Sequence, residues 1–299
     1  MIIIAVIVMA FLTGDRSMTS VQTETLRILV IICGCSALYC FVVGQLTHNY
    51  SQMDKLWSIL PIAYVWVIAA KSGMKSTLVI YALIVTAWGI RLTINFARKG
   101  AYSIRFWEGR EDYRWSIVHA SPIFRSNFAW AMFNLFFISI YQNALVLSIC
   151  LPAWAAMNSE ETVSALQIAG AVAAVLFLIL ETVADEFQWK FHKIKAKLLG
   201  KGTKLDELPY PYNLGFNVTG PWGWMRHPNY LGEQGIWLSL YFFAMGASLH
   251  WTITGPLLLI LLFMGSSALG ETISASKYPR YVEYVRLVRK YIPLGKFKA

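Results

Sequence analysis

The chemically most diverse side chains of this sequence lie in the stretch 220–233, directly before a long apolar run. They are a cation, an imidazole, an amide, a phenol and a carboxylate, supplied by Arg226, His227, Asn229, Tyr230 and Glu233. Pro228 suits the first turn of a helix, where its missing N–H is not needed. Helix N-termini attract anions, and an arginine beside one strengthens the attraction. The stretch predicts a site for a phosphate-bearing or otherwise anionic ligand at a membrane edge, or alternatively a headgroup anchor for a transmembrane helix.

The composition indicates the environment in which this site operates. The 299 residues are 57% hydrophobic and 14% charged, whereas a soluble domain carries about 25% charged residues. This predicts an integral membrane protein and excludes a soluble two-domain enzyme. The net charge of +10 is distributed between apolar runs, which argues against nucleic-acid binding. The four cysteines form no Cys-x-x-Cys pair, so neither a disulfide framework nor a metal site is expected.

The apolar runs predict an all-α membrane protein with about seven transmembrane helices. A further short helix is added if residues 1–12 cross the membrane. The runs lie at 28–53, 56–70, 77–90, 126–159, 162–180 and, as a hairpin of two, within 234–270. We divide the chain into an N-terminal segment, N-terminal helices with an interfacial loop, and a C-terminal membrane domain, at 1–25, 26–125 and 126–299.

The distribution of basic residues predicts which side of the membrane carries the site. The segments 98–125, 185–207 and 271–299 contain 6, 6 and 7 of the 26 lysines and arginines. Because cytoplasmic loops carry the excess of Lys and Arg, these segments and the C-terminus are expected in the cytoplasm. In this topology the polar residues of the site lie at one depth on the cytoplasmic side: Arg91, Arg98, Asp185, Arg226, His227, Asn229, Glu233, Glu271 and the tyrosines of the C-terminal tail. No dinucleotide fingerprint, P-loop or catalytic triad is present, so any nucleotide must be held within the helical bundle.

These residues carry a family resemblance. The run Arg-His-Pro-Asn-Tyr-Leu-Gly-Glu at 226–233 resembles the C-terminal domain of steroid 5-alpha-reductase-like membrane reductases, in particular their bacterial branch, DUF1295. Further matches are the Asp-Lys-Leu-Trp at 54–57, the Trp-Gly-Ile-Arg-Leu at 88–92 with Arg98, the helix containing Glu181 and Asp185, and Glu271, Tyr281 and Tyr284 in the tail. The resemblance covers roughly residues 50–295.

The resemblance implies an NADPH-dependent reductase in the bacterial inner membrane, with its cofactor site and C-terminus cytoplasmic. Its reaction would be hydride transfer to a carbon–carbon double bond conjugated to a carbonyl, in a lipid-like or steroid-like substrate. Positions that match the family's cofactor contacts are Arg91, Arg98, Asp185, Asn229, Glu233 and Tyr281. We add Arg226, His227, Tyr230 and Glu271 to this cofactor-binding set from their place in the site.

The catalytic acid departs from the steroid enzymes, which use a glutamate and a tyrosine to polarise the substrate carbonyl. Within the resemblance, Asp54 aligns with the glutamate and Trp88 aligns with the tyrosine. An indole donates a hydrogen bond but does not usefully give up a proton. The resemblance implies Asp54 as the candidate for the catalytic acid, and the loss of the tyrosine leaves the identity of the proton donor open.

Two other functions remain open. Arg-His-Pro-x-Tyr-x-Gly also resembles the isoprenylcysteine and phospholipid methyltransferases, which bind S-adenosylmethionine. The third possibility is a lipid-binding or structural membrane protein whose polar cluster is only an anchor. Asn229 and Glu233 after His-Pro, with Asp185 upstream, favour the reductase.

Overall fold

The computed structural model describes residues 18–159, 163–200 and 202–297. Within these ranges the chain is helical and forms no strand, apart from an isolated bridge between Met225 and Arg289. The prediction of an all-α protein is confirmed for the part of the chain that is described. The predicted short helix at the extreme N-terminus lies outside these residues.

Five helices of the described residues are long and apolar enough to cross a membrane, as expected of an integral membrane protein. They are Ser20–Thr47, Ser76–Ala97, Asn127–Ser148, Ala165–Leu199 and Trp251–Lys277. Two more helices occupy predicted spans without reaching that standard. Leu60–Lys71 has only 12 residues, and Pro228–Met245 has 18 residues. The count of seven spans therefore stays a prediction.

The chain divides into two compact units. The first comprises Met1–Ala171 and Ser239–Leu258, and the second comprises Val172–Leu238 and Leu259–Ala299. The first unit begins with four helices, α1 (Ser20–Thr47), α2 (Gln52–Leu56), α3 (Leu60–Lys71) and α4 (Ser76–Ala97).

Helix α1 begins eight residues before the predicted apolar run because its N-terminus is capped. Thr19 and Gln22 form a capping box in which each side chain accepts from the other residue's backbone N–H, and such caps stabilise a helix start. The helix ends where His48 adopts a left-handed conformation with φ 53°. The predicted end at residue 53 is therefore wrong, and the chain turns into α2 instead.

Helices α3 and α4 pack together at close range. A Cβ on Gly89 would lie 2.6 Å from Cδ1 of Ile62 on α3 and 2.5 Å from the carbonyl oxygen of Ser58 in the turn before α3, so only glycine permits this approach. The Ser58 hydroxyl is 2.7 Å from the Thr93 hydroxyl, and the Trp66 indole donates to Thr86 at 3.0 Å. These hydrogen bonds satisfy polar groups that lipid could not satisfy.

The connecting segment, residues 98–125, follows α4 and is mostly irregular, with one short helix α5 (Tyr113–His119). Its backbone is fixed to α2 by Lys55, which is fully buried and donates to the carbonyls of Phe106 and Glu108 at 3.0 and 2.6 Å. A buried ammonium needs such acceptors. The predicted interfacial loop thus contains the short helix α5, and hydrogen bonds from Lys55 hold the loop residues before this helix.

The rest of the first unit contains a helix with an unusual middle section. It consists of α6 (Asn127–Phe133), a π-helical stretch (Asn134–Tyr141) and α7 (Gln142–Ser148), followed by the short α8 (Leu151–Ala155). A π-helical stretch rotates the face that a helix presents, and such stretches are frequent at functional sites.

The second unit is built on parts of three long helices and a short one. These are α9 (Ala165–Leu199), α10 (Pro228–Met245), α11 (Thr254–Lys277) and α12 (Tyr281–Leu287). Helices α9 and α10 touch at Gly232, where an added Cβ would lie 2.6 Å from the Cβ of Glu181. This close approach brings the polar residues of α9 beside those at the start of α10.

An aromatic cluster joins the C-terminal tail to the loop that precedes α10. Its buried members are Leu214, Phe216, Val218, Tyr281, Tyr284, Val288 and Phe297. The Tyr284 hydroxyl donates to the carbonyl of Trp222, whose indole donates to the carbonyl of Ala184 on α9 at 2.9 Å. The tail is therefore packed into the second unit and supports the stretch 220–233.

Candidate functional site

The stretch 220–233 enters α10 through a short 3-10 turn, Gly220–Gly223. The residues after this turn pair with the tail. The backbone N–H of Arg226 donates to the carbonyl of Arg289, and that of His227 donates to Lys290, both at 3.0 Å. As predicted, α10 begins at Pro228. The tail thus fixes the direction from which the Arg-His pair reaches the helix.

Arg226 is buried, with 8% of its surface exposed, and its guanidinium is used inside the unit. Nε donates to Oε1 of Glu271 at 2.8 Å, and a second nitrogen lies 3.4 Å from Oε2. The remaining nitrogen donates to the carbonyls of Val285 and Val288 at the end of α12. A bidentate carboxylate and helix C-terminal carbonyls are the partners that suit a buried guanidinium. The four contacts tie α10, α11 and the tail together.

His227 shares the same carboxylate. Its Nε2 lies 2.9 Å from Oε1 of Glu271, and its ring stacks on Tyr230 with centroids 5.3 Å apart. Burial lowers the pKa of His227 below its ordinary value, although Glu271 acts in the opposite direction. With Lys290 3.7 Å from Oε2, Glu271 is the common partner of three basic side chains. The structure therefore brings together Arg226, His227, Tyr230 and Glu271, all of which were predicted for the site.

A second group lies on the facing turns of α9 and α10. The Asn229 amide nitrogen donates to Oδ1 of Asp185 at 3.2 Å. Glu181, Asp185 and Glu233 are 4, 8 and 3% exposed, so this is a buried cluster of acidic groups. The Oδ1 of Asn229 is shielded from solvent and has no hydrogen-bond partner in the structure. The structure thus joins Asp185, Asn229 and Glu233 and adds Glu181, whose spacing of four residues from Asp185 already indicated a shared face.

Tyr281, the remaining predicted cofactor contact of this unit, lies in the aromatic cluster. It is 6% exposed, and its ring centroid is 5.0 Å from that of Phe216 and 5.6 Å from that of Tyr284. This aromatic packing accounts for a buried tyrosine at position 281 without any contact to a ligand. Its role at the cofactor stays a prediction.

Three predicted residues belong to the first unit. Arg91 lies on α4, and Arg98 directly follows that helix and donates to Oδ1 of Asn95 at 2.7 and 3.0 Å. Asp54, on α2, accepts the indole N–H of Trp115 on Oδ2 at 2.8 Å. Trp115 was missed by sequence reasoning. The run Asp-Tyr-Arg-Trp at 112–115 contains the signal, but nothing in its spacing shows that it folds against Asp54.

These observations define an all-helical membrane protein with two buried polar groups in its second unit. The chain belongs to the DUF1295 family, a family of proteins of unknown function, whose model matches residues 40–290. It is 34% identical over 277 residues to an uncharacterized protein of Schizosaccharomyces pombe, and the match covers 86% of this chain and 78% of that protein. No solved structure matches the chain.

Proposed function

We propose that the chain is an NADPH-dependent membrane reductase that acts on a carbon–carbon double bond conjugated to a carbonyl in a lipid-like substrate. The observation that carries the proposal is the Asp185–Asn229 pair, in which Asn229 keeps a shielded Oδ1 without a partner. A buried acceptor of this kind costs free energy unless a ligand supplies a donor. The excess of basic residues in the tail and neighbouring loops favours a cytoplasmic position for this site.

The residues of the second unit fit one part of NADPH. Its ribose hydroxyls and its nicotinamide amide are donors, and they need acceptors. Asp185, Glu181, Glu233 and Asn229 Oδ1 are acceptors on two packed helices. Because Arg226 is bound to Glu271 and to backbone carbonyls, we assign it to holding the site in shape. The planar fork of a guanidinium suits the bidentate contacts that phosphate oxygens make, so we expect arginine side chains at the phosphates.

The reaction needs a hydride and a proton. When bound, NADPH would supply the hydride with its electron pair to the carbon β to the carbonyl and would leave as NADP⁺. The chain must stabilise the negative charge that develops on the carbonyl oxygen. We assign this to Asp54, which donates the proton that completes the saturated carbonyl product and regains one from water.

The test is a titration of the detergent-solubilised protein with NADPH, followed by quenching of tryptophan fluorescence. Asn229→Ala is expected to weaken binding about tenfold, which corresponds to about 1.4 kcal/mol. Asn213→Ala is the matched control, because Asn213 lies in the same unit and also has a shielded Oδ1 without a partner. It should bind as wild type does.

Two results would contradict the proposal. One is the absence of saturable NADPH binding by the wild-type protein. The other is equal weakening by both variants, which would indicate a general loss of structure. Because an acidic cluster also suits a sulfonium cation, the titration is repeated with S-adenosylmethionine, and binding of that compound alone would favour a methyltransferase.

A further inference from the structure

The carboxyl group of Asp54 is held asymmetrically. Its Oδ2 accepts the indole N–H of Trp115 at 2.8 Å. Trp115 is 8% exposed, and its ring packs edge-on against Phe133 with centroids 6.3 Å apart. An indole nitrogen is a donor only, so Oδ2 must act as an acceptor. When Asp54 is protonated, its proton is therefore placed on Oδ1.

A second carboxylate lies close by on the connecting segment. Asp112 caps α5 by accepting from the backbone N–H of Arg114, and its oxygens also accept from the Arg114 guanidinium at 2.8 and 3.0 Å. The backbone N–H of Asp112 donates to the Ser51 hydroxyl at 2.9 Å. Asp112 is thus paired with a cation, whereas Asp54 is paired with neutral groups, the Trp115 indole and the Ser51 hydroxyl.

These environments shift the pKa values of the two carboxyl groups in opposite directions. Burial raises the pKa of Asp54, and the nearby charge of Asp112 raises it further, against the effects of Arg114, the Trp115 indole and the Ser51 hydroxyl. Burial also acts on Asp112, but Arg114 holds the pKa of that group below its ordinary value. The titratable or charged groups that face Asp54 are Cys40 on α1, Lys55 on α2, and Tyr102, Glu111, Asp112 and Arg114 on the connecting segment. Two neighbouring carboxyl groups whose pKa values are shifted apart are typical of a site in which one group is protonated and the other stays ionised.

We propose that Trp115 is a positioning residue that keeps the proton of Asp54 on Oδ1, and that Arg114 keeps the negative charge of this carboxyl pair on Asp112 rather than on Asp54. The description of Asp54 as the proton donor rests on the proposed reductase function. The placement of the proton does not, because it follows from the contacts of the indole and the ion pair. A proton fixed on one oxygen can be delivered in one direction.

The experiment uses dicyclohexylcarbodiimide, an apolar reagent that modifies protonated carboxyl groups, with mass spectrometry to quantify labelling at Asp54 as a function of pH. In Trp115→Phe the midpoint should move to higher pH by about one unit or more, because the ionised carboxylate loses a donor. In Asp112→Asn it should move to lower pH by about one unit, because a like charge is removed. Trp107→Phe, an exposed tryptophan of the same segment at 46% exposure, should leave the midpoint unchanged.

The opposite signs of the two midpoint shifts distinguish a positioning role of Trp115 from a general loss of local structure. A locally unfolded segment would hydrate Asp54 and lower the midpoint in both variants, and that result would overturn the proposal. An infrared difference spectrum of each protein against its Asp54→Asn form provides a second measurement. The carbonyl stretch of protonated Asp54 should move to higher wavenumber in Trp115→Phe, because the carbonyl Oδ2 loses its donor. An unchanged stretch would place the proton elsewhere and would overturn the proposal.

The labelling needs neither cofactor nor substrate, so its result tests the proton placement independently of the proposed function. Absence of NADPH binding with the predicted midpoint shifts would remove the reductase and keep the proton placement. NADPH binding without the shifts would keep the reductase and remove Trp115 from its role.

Discussion

Glu271→Gln tests whether the Arg226–Glu271–His227 group holds the second unit together. Glu271 is 16% exposed and faces Arg226, His227 and Lys290 at 2.8, 2.9 and 3.7 Å. Its replacement leaves the buried Arg226 without a counter-charge. Breaking a buried pair in this way costs about 3–5 kcal/mol. The glutamine retains one acceptor oxygen, so we expect the lower end, about 3 kcal/mol.

Glu283→Gln is the matched control on the tail. Glu283 accepts from Arg280 at 3.2 Å, but both side chains are 48% exposed. An exposed pair contributes about 1 kcal/mol or less. Because the chain has 299 residues, we use about 2 °C per kcal/mol, the lower end for chains of about 150–250 residues. The melting temperature should therefore fall by about 6 °C for Glu271→Gln and by at most about 2 °C for Glu283→Gln.

The assay is a thermal melt in detergent, combined with limited trypsin digestion at the C-terminal tail. Only Glu271→Gln should expose the tail to cleavage at Arg289 and Lys290, because Arg226 also donates to the carbonyls at the end of α12. Equal, small changes in both variants would refute the assignment of Arg226 and Glu271 as the group that ties the tail to α10.

Two further predictions concern stability. Burial lowers the pKa of His227 below 6.5, so the folded state binds fewer protons than the unfolded state. The folded state therefore loses stability as the pH falls from about 6.5. Between pH 7.5 and 5.5 the melting temperature should fall more steeply for wild type than for His227→Gln, and equal slopes would contradict this. Gly232→Ala places a Cβ 2.6 Å from that of Glu181 and should destabilise the protein by about 1–3 kcal/mol. Gly265→Ala on α11, with nothing within 4 Å, is its control in the same melts, and similar losses in both would refute the close packing of α9 and α10.

Sequence patterns predicted the helical class and most of the polar residues of the site, but not the contacts that these residues make. The spacing of Glu181 and Asp185 on α9 indicated that they share a helix face, because helical periodicity is local. Arg226 was predicted to grip a ligand, and the structure shows that it binds Glu271 and tail carbonyls. That choice depends on contacts 45 and 59 residues away in sequence, which no local pattern encodes.

The start and end of α1 show the same division between local and long-range information. The Thr19–Gln22 capping box was present in the sequence, yet the hydrophobic pattern placed the helix start later. The position of Trp115 against Asp54 could not be predicted, because 61 residues separate the two side chains. The irregular connecting segment that joins them has no periodicity to follow.

We propose that the acidic cluster on α9 and α10 holds a reduced nicotinamide dinucleotide. The most direct test of this proposal is equilibrium dialysis of the protein in lipid nanodiscs against NADPH and, separately, S-adenosylmethionine. We expect saturable binding of one NADPH per chain and no binding of S-adenosylmethionine. Saturable binding of S-adenosylmethionine without NADPH, or of neither compound, would contradict it.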